Sequence, residues 1–407
     1  MKESARRPRA LVVGLGIAGI ATALRLHQVG WEPVIVERAP ARRSNGYFIL
    51  LWGTGVASAR RLGVLDAIGD RNAERMAVYE VNRAGRRTPG MNLTELPGVV
   101  TPPRRVLRGD VEEALFAALP DDVEIRYSTV PTHITQSDSA AEVTLHSVAS
   151  GDTVSECFDL VVGADGMRST VRRLAFGPQQ DLHPLHYMIG VTTLDAPIEG
   201  LGLHEGLVLA EPGRSAWTFP FADHAPSLLF SYHTDDIDAE FTRPAIESIR
   251  AAFGPEPPGA LLEDLFARFE RAPEHLFDSV HQVKLPHWHH GRVVLVGDSA
   301  WCVTLYAGMG ASSAIAGSEL LGTMLRRHTD DLPGALRAWE GRMRPFIQTE
   351  QDGALSMRRI FTPGDRKEQI MRTAMIRLRR RPLLRQAMGK IMKGPDLANK
   401  QFDVAAA

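Results

Sequence analysis

Apolar residues come as short unbroken runs near both ends of the chain and as alternation through its middle. Ala10-Leu11-Val12-Val13, Val34-Ile35-Val36, Leu160-Val161-Val162 and Val293-Val294-Leu295-Val296 each close on a glycine or an acid. Short apolar runs bounded by turn residues predict strands buried on both faces, as in a parallel sheet. Residues 9–14 and 33–37 are therefore expected as strands, with a helix over 17–29 between them. That is one βαβ unit. A short strand is expected at 46–51, then a helix through Gly63. Strand and hairpin follow over 76–92, turning at Gly85, and a helix over 107–119. Short strands are expected at 123–127, 142–148 and 158–163. From about 184 to 234 the pattern alternates. In Ser215-Ala216-Trp217-Thr218-Phe219 it puts Trp217 and Phe219 on one face. In Leu228-Leu229-Phe230-Ser231-Tyr232 it puts Phe230 and Tyr232 on one face. Antiparallel strands are predicted there, then helices near 243–252 and 259–270, a strand over 277–284, a long helix over 310–327 and a helical tail from 333.

Composition changes this picture little. The 407 residues suffice for two domains, and 44 % apolar with 23 % charged residues is ordinary for a globular chain. A formal net charge of −1 argues against nucleic acid as a partner. Cys157 and Cys302 have no disulfide or metal spacing, which fits a cytoplasmic protein. Arg6, Arg7 and Arg9 before an apolar run imitate a secretion signal. Gly14, Gly16 and Gly19 at nucleotide-loop spacing make the buried strand the better reading. No apolar stretch is long enough to predict a membrane span.

The candidate chemistry lies where three of these strands end. In Gly14-Leu15-Gly16-Ile17-Ala18-Gly19, the first glycine permits a tight turn. The second lets backbone amides approach a pyrophosphate, and the third lets helix and strand pack closely. The helix N-terminus then faces the phosphates. Glu37 lies 18 residues after Gly19 and can accept hydrogen bonds from ribose hydroxyls. The second stretch is Gly163-Ala164-Asp165-Gly166-Met167-Arg168-Ser169. The third is Gly297-Asp298-Ser299, followed by Tyr306-Ala307-Gly308-Met309-Gly310-Ala311, which opens the long helix. Three turns in this order predict one dinucleotide gripped from three places; the first turn alone does not separate FAD from NAD.

Taken together, these motifs resemble the single-component FAD-dependent aromatic and polyketide monooxygenases of the para-hydroxybenzoate hydroxylase type. The similarity is closer to the branch of tetracycline-inactivating and antibiotic-tailoring enzymes, and it spans roughly residues 9–350. The resemblance implies an α/β fold: a discontinuous Rossmann-like FAD-binding domain (1–75, 100–180 and 285–350), an inserted, mainly antiparallel β-sheet substrate domain (76–99 and 181–284) and a C-terminal helical tail (351–407). It implies FAD as cofactor, NADPH or NADH as co-substrate, and oxygen delivered to a small-molecule substrate through a flavin C4a-hydroperoxide. It places Glu37 on the adenosine ribose, Arg38 near the adenosine and Val130 by the adenine. Arg108 and Asp298 fall at the ribityl and pyrophosphate, with Gly310 and Ala311 facing the flavin ring. Asp165-Gly166 is linked to both FAD and the nicotinamide cofactor. No side chain is assigned a proton-transfer role.

The chain departs from the family in the third stretch. Trp301 stands where a histidine is usual, and Val303-Thr304-Leu305-Tyr306 lacks a proline pair. That change is expected to loosen the loop. It leaves open two further readings: a non-redox cyclase or isomerase that keeps FAD as a structural wall, and a flavin-binding regulator. A sheet roofs the substrate cavity in this architecture, so Trp217, Phe219, Phe230, Tyr232, Tyr306 and Met309 are candidate lining residues. Arg42 and Arg43 are candidates for a flavin edge or a nicotinamide phosphate, or for a solvated loop. His287, His289 and His290 read as surface-turn histidines rather than a metal site. The basic tail from Arg372 to Lys393 reads as a docked helix rather than a membrane-surface one.

Overall fold

The structure, a computed structural model, describes residues 6–42, 46–91, 101–177, 182–378 and 395–406. A six-stranded sheet runs in the order His289–His290, Val293–Leu295, Leu160–Gly163, Arg9–Val13, Glu32–Val36, Glu124–Arg126. All its pairings are parallel except that of the short His289–His290 edge strand. Val13 lies opposite both Gly163 and Val36, and Gly163 lies opposite Leu295. The strands therefore end level, and the turns after them emerge side by side. Strands from residues about 10, 160 and 294 meet because each is apolar throughout and is stable only between covered faces.

The helix Ile17–Gln28 packs on this sheet, and the 18-residue helix Gly310–Arg327 packs against it. The approach is close: a Cβ on Gly322 would lie 2.5 Å from Arg25 Cγ, and Thr22 Oγ1 donates to Ser318 Oγ at 2.9 Å. Helices Gly53–Leu62 and Leu332–Phe361 complete that layer.

The second large sheet has seven strands, in the order Leu276–Val283, Leu182–Thr193, Ser227–His233, Arg214–Phe219, Glu205–Glu211, Ala77–Val81, Arg87–Pro89. It is antiparallel except where Ala77–Val81 pairs with Glu205–Glu211. Its two faces have different partners. Trp217, Phe219, Val191, Val208 and Leu229 join the core of the parallel-sheet layer. Ala216, Leu228, Phe230, Tyr232, Leu207 and Leu209 join a separate core with Ile249, Phe253, Leu262, Phe266 and Phe269 of helices Ala245–Phe253 and Gly259–Arg271.

The tail is helical over Arg366–Leu378 and Pro395–Gln401. The first of these helices is docked by Arg372, whose guanidinium bridges both oxygens of Glu80 at 2.6 and 2.9 Å. Arg379 to Lys393, the rest of the basic stretch, lies outside the described residues, as does Arg43. Among the described residues no helix is long and apolar enough to cross a membrane.

Candidate functional site

The first two turns are locked by contact. Gly14 has φ +106°, and a Cβ there would sit 2.5 Å from the Ala164 carbonyl oxygen. A Cβ on Gly19 would lie 1.9 Å from the Gly14 oxygen. Gly16 is different. The nearest atoms to a Cβ added there are Arg108 Nη2 and Glu112 Oε1, both at 3.8 Å. Its open side is thus a cradle walled by a guanidinium. The helix behind it has no acidic residue in its first turn to neutralise its positive end. Spare backbone N–H groups, a helix dipole and an arginine are the donor set that a pyrophosphate requires.

Glu37 sits at one end of this cradle. Its Oε2 accepts from Leu15 N at 2.9 Å and its Oε1 from Ala39 N at 2.8 Å. Each oxygen keeps acceptor capacity for a ribose hydroxyl. Arg38 beside it is exposed. Val130 arrives at the same corner because Thr129 N donates to the Glu37 carbonyl at 2.9 Å.

The third turn closes the other end. Gly297 has φ +71°, and a Cβ on it would lie 2.8 Å from the Ala18 methyl. Ser299 Oγ donates to the Gly163 carbonyl at 2.6 Å, and Arg172 Nη1 to the Ser299 carbonyl at 2.8 Å. Asp298 remains open to solvent although protein atoms crowd round it, the position of a carboxylate on the floor of a cleft. That crowding pushes its carboxyl above the usual range, and the Arg108 guanidinium acts against the shift. Arg108 begins the helix Arg108–Ala117 and pairs with Glu112 at 2.6 Å.

Asp165 faces elsewhere. Its carboxylate accepts from Ser169 Oγ at 2.5 Å, Thr170 N at 2.6 Å and Val171 N at 3.1 Å. It holds the start of the helix Thr170–Phe176. The backbone of Ala164 and Asp165, not the side chain, meets the first turn. Tyr47 lies beside Arg108, whose main-chain N–H donates to the Tyr47 carbonyl at 2.8 Å. Burial raises its phenol, and Arg108, Asp298, Glu112 and Asp278 act on it as well. A lone tyrosine after Gly46 carries no pattern that marks it.

Gly310 and Ala311 open the long helix. Met309 and Tyr306, just before them, are fully buried, and the Tyr306 hydroxyl hydrogen-bonds Ser231 at 2.9 Å. Trp217 and Phe219 face the same layer: Trp217 packs on Phe361 at 4.7 Å and Phe219 stacks on Phe48 at 4.3 Å. Phe230 and Tyr232 do not. Phe230 packs among Phe253, Phe266 and Phe269, and Tyr232 donates to Glu240 at 2.8 Å. That pair stabilises the outer helices, a correction to its place among the lining candidates.

Trp301 turns inward. It packs on Trp288 and Trp339 at 4.8 and 5.9 Å, and a Cβ on Gly317 would lie 2.8 Å from its ring. The loop after it is anchored at its start. Gln351 Nε2 donates to the carbonyls of Val283 and Trp301 at 2.8 and 2.9 Å, which replaces proline stiffness with anchoring from the long C-terminal helix. Arg42 lies over Phe116 and pairs with Glu113. His287 and His289 stand 3.8 and 3.7 Å from Glu340, which already pairs with Arg344. Among the described residues no group of His, Cys, Asp or Glu is gathered for a metal.

A family model described as "FAD binding domain" matches residues 7–331. The chain belongs to this FAD binding domain family. Its cofactor is FAD, and the open side of Gly16 with Arg108, Glu37 and Asp298 around it fits that group. Among relatives of this FAD-binding chain is the FAD-dependent monooxygenase asL4 of Sarocladium schorii, 26 % identical over 402 residues, with 85 % of each chain covered. A flavin-dependent monooxygenase of Legionella longbeachae is 25 % identical over 350 residues, covering 84 % of this chain and 86 % of the relative. The fold is that of the tetracycline destructase Tet(51), with a TM-score of 0.75 at 21 % identity and coverage of 97 % and 98 %. It is also that of Klebsiella pneumoniae HpxO complexed with FAD and uric acid, with a TM-score of 0.73 at 19 % identity and coverage of 98 % and 96 %. With such relatives the FAD-binding chain is an FAD-dependent oxidoreductase.

Proposed function

We propose that the chain is an FAD-dependent monooxygenase. It draws electrons from NADPH or NADH and uses O2 to hydroxylate, epoxidise or insert oxygen into an aromatic or polyketide-type secondary metabolite. The observation that carries this reading is the convergence of the turns at Gly14–Gly19, Ala164–Asp165 and Gly297–Asp298 on one cleft. FAD, when bound, supplies the redox chemistry. The chain supplies position and charge. The amides of the Gly14–Gly19 turn and Arg108 hold the pyrophosphate, and Glu37 accepts the ribose hydroxyls. Asp298 accepts from the ribityl chain. The start of the Gly310–Arg327 helix presents its amides and positive end to developing negative charge. Trp217 and Phe219, packed on Phe361 and Phe48, belong to the apolar wall we assign to the substrate side. An open groove of about 460 Å³ is bordered by Arg168, three residues past Asp165, and by Asp238, Phe241, Phe277, Asp278 and His281; it is the surface we assign to the nicotinamide cofactor. We keep the division into the discontinuous FAD-binding domain, the inserted sheet domain and the tail at the boundaries read from the sequence.

The relatives named as monooxygenases support oxygenation over a merely structural flavin. Purified protein is expected to be yellow, to oxidise NADPH or NADH faster with substrate, and to place one atom of labelled O2 in the product. Turnover that proceeds without oxygen and without reduced nicotinamide would overturn the reading.

A further inference from the structure

The turn before the long helix is held from an unexpected place. Leu305–Ala307 forms one 3-10 turn, with Gly308 N donating to the Leu305 carbonyl at 2.9 Å. On either side stand Thr304 at φ +74° and Gly308 at φ +64°. Positive φ at a β-branched residue is strained and persists only when surrounding contacts over-determine it. One such contact is the Ala307 carbonyl, which accepts from Lys400 Nζ at 2.5 Å.

Lys400 is 3 % exposed. Its ammonium is paired with Glu350 Oε2 at 2.6 Å, and Glu350 is 0 % exposed. The other Glu350 oxygen accepts from Asn399 Nδ2 at 2.7 Å. The C-terminal segment is also held by contacts other than this pair. Arg61 pairs with Asp403 at 2.7 Å, Val404 N donates to Thr54 Oγ1 at 3.3 Å, and Arg342 Nε donates to the Val404 carbonyl at 2.5 Å. Val404 and Ala405 are buried. A buried ion pair is a poor way merely to fasten a helix, because apolar side chains of the same volume do it at least as well. What they cannot do is give a charged donor to a main-chain carbonyl.

We propose that Lys400, with Glu350 as its counter-charge, is a positioning residue for the flavin-facing turn. It fixes the Ala307–Gly308 peptide, and through it the first amides of the Gly310–Arg327 helix, against the flavin ring. The inference rests on the reading of Gly310 and Ala311 as ring-facing.

The test replaces the pair by apolar side chains, Lys400→Met with Glu350→Met, beside Lys400→Arg, which keeps a charged donor. FAD dissociation constants are read by flavin fluorescence, the bound flavin by visible circular dichroism, and the apoprotein by thermal melting. The double variant is expected to melt close to wild type, to bind FAD about tenfold or more weakly, and to show an altered flavin band. Lys400→Arg is expected to keep the wild-type band. A folded double variant with wild-type affinity and an unchanged band overturns the proposal. Should it fail to fold, Lys400→Gln is read the same way, and an unchanged constant and band there overturn it. These readouts need no turnover. A chain that binds FAD and never oxygenates sinks the monooxygenase reading and leaves the Lys400 result standing.

Discussion

Ala18 and Gly297 touch across 279 residues of chain, so closely that a Cβ on Gly297 would lie 2.8 Å from the Ala18 methyl. The first and third turns are one wall. Contacts of this kind separate the glycines that the fold needs from one that the ligand needs.

Gly14 and Gly16 should therefore respond in opposite ways. Gly14→Ala meets both a positive φ and the Ala164 carbonyl, and is expected to destabilise the apoprotein by roughly 2 kcal/mol or more. A Cβ at Gly16 would meet only the ends of two side chains, Arg108 Nη2 and Glu112 Oε1, both at 3.8 Å, so the apoprotein melt of Gly16→Val should move far less than that of Gly14→Ala. The FAD dissociation constant of Gly16→Val should rise at least about a hundredfold, because the side chain fills the cradle. Thermal melting of apoprotein beside a flavin titration checks both. Unchanged FAD affinity in Gly16→Val would place the pyrophosphate elsewhere.

Arg108→Met removes the guanidinium that faces both Glu112 and Asp298. FAD affinity should fall by about ten- to a hundredfold, the loss of one or two charge-assisted hydrogen bonds. Asp298, freed from that cation, should titrate higher still. The loss of FAD affinity should therefore be larger at pH 8 than at pH 5, since protonation removes the uncompensated charge. Equilibrium titrations at the two pH values measure the difference.

The sheet's two faces predict a division of labour. Phe230→Ala is expected to cost about 3–5 kcal/mol by emptying the outer core, read as a drop in melting temperature. Trp217→Phe loses the buried hydrogen bond from Nε1 to the Phe361 carbonyl along with some ring area, so it is expected to lower the melting temperature by less than Phe230→Ala does and to change KM for substrate more than kcat. Equal melting losses and no KM effect for Trp217→Phe would remove that residue from the substrate wall.

Glu211 gives a pH dependence. Burial works to raise its carboxyl, but hydrogen bonds from Arg83 and Arg214 outweigh it and hold the group below the ordinary range. The unfolded chain therefore binds the proton first as pH falls. The stabilisation is fully present above the unfolded carboxylate range near pH 4.5 and is lost as pH drops through the lowered folded value. Glu211→Gln should flatten the acid limb of the stability curve, measured by denaturant melts between pH 3 and 7.

The strand-end motifs were legible because each is local: a glycine spacing, an acid after an apolar run. Their convergence was legible too, since short buried strands ending alike belong in one parallel sheet. Local pattern could not say which face of the inserted sheet meets the site. Alternation correctly grouped Trp217 with Phe219 and Phe230 with Tyr232, but the choice between faces depends on where helices Ala245–Phe253 and Gly259–Arg271 pack. Nor could it say that Asp165 spends its carboxylate on its own helix, since a helix cap and a ligand acid have the same sequence signature. Trp301 read as a change in chemistry because its partners, Trp288 and Trp339, lie 13 and 38 residues away in the chain.

The clasp assembled from residues 14–19, 163–165 and 297–298 has a consequence for biosynthesis. A ribosome delivers its parts in strict order, and a nascent chain halted before residue 297 owns only two sides of the grip. Flavin loading must then be a late event, after most of the polypeptide has left the exit tunnel, and premature termination products should emerge colourless.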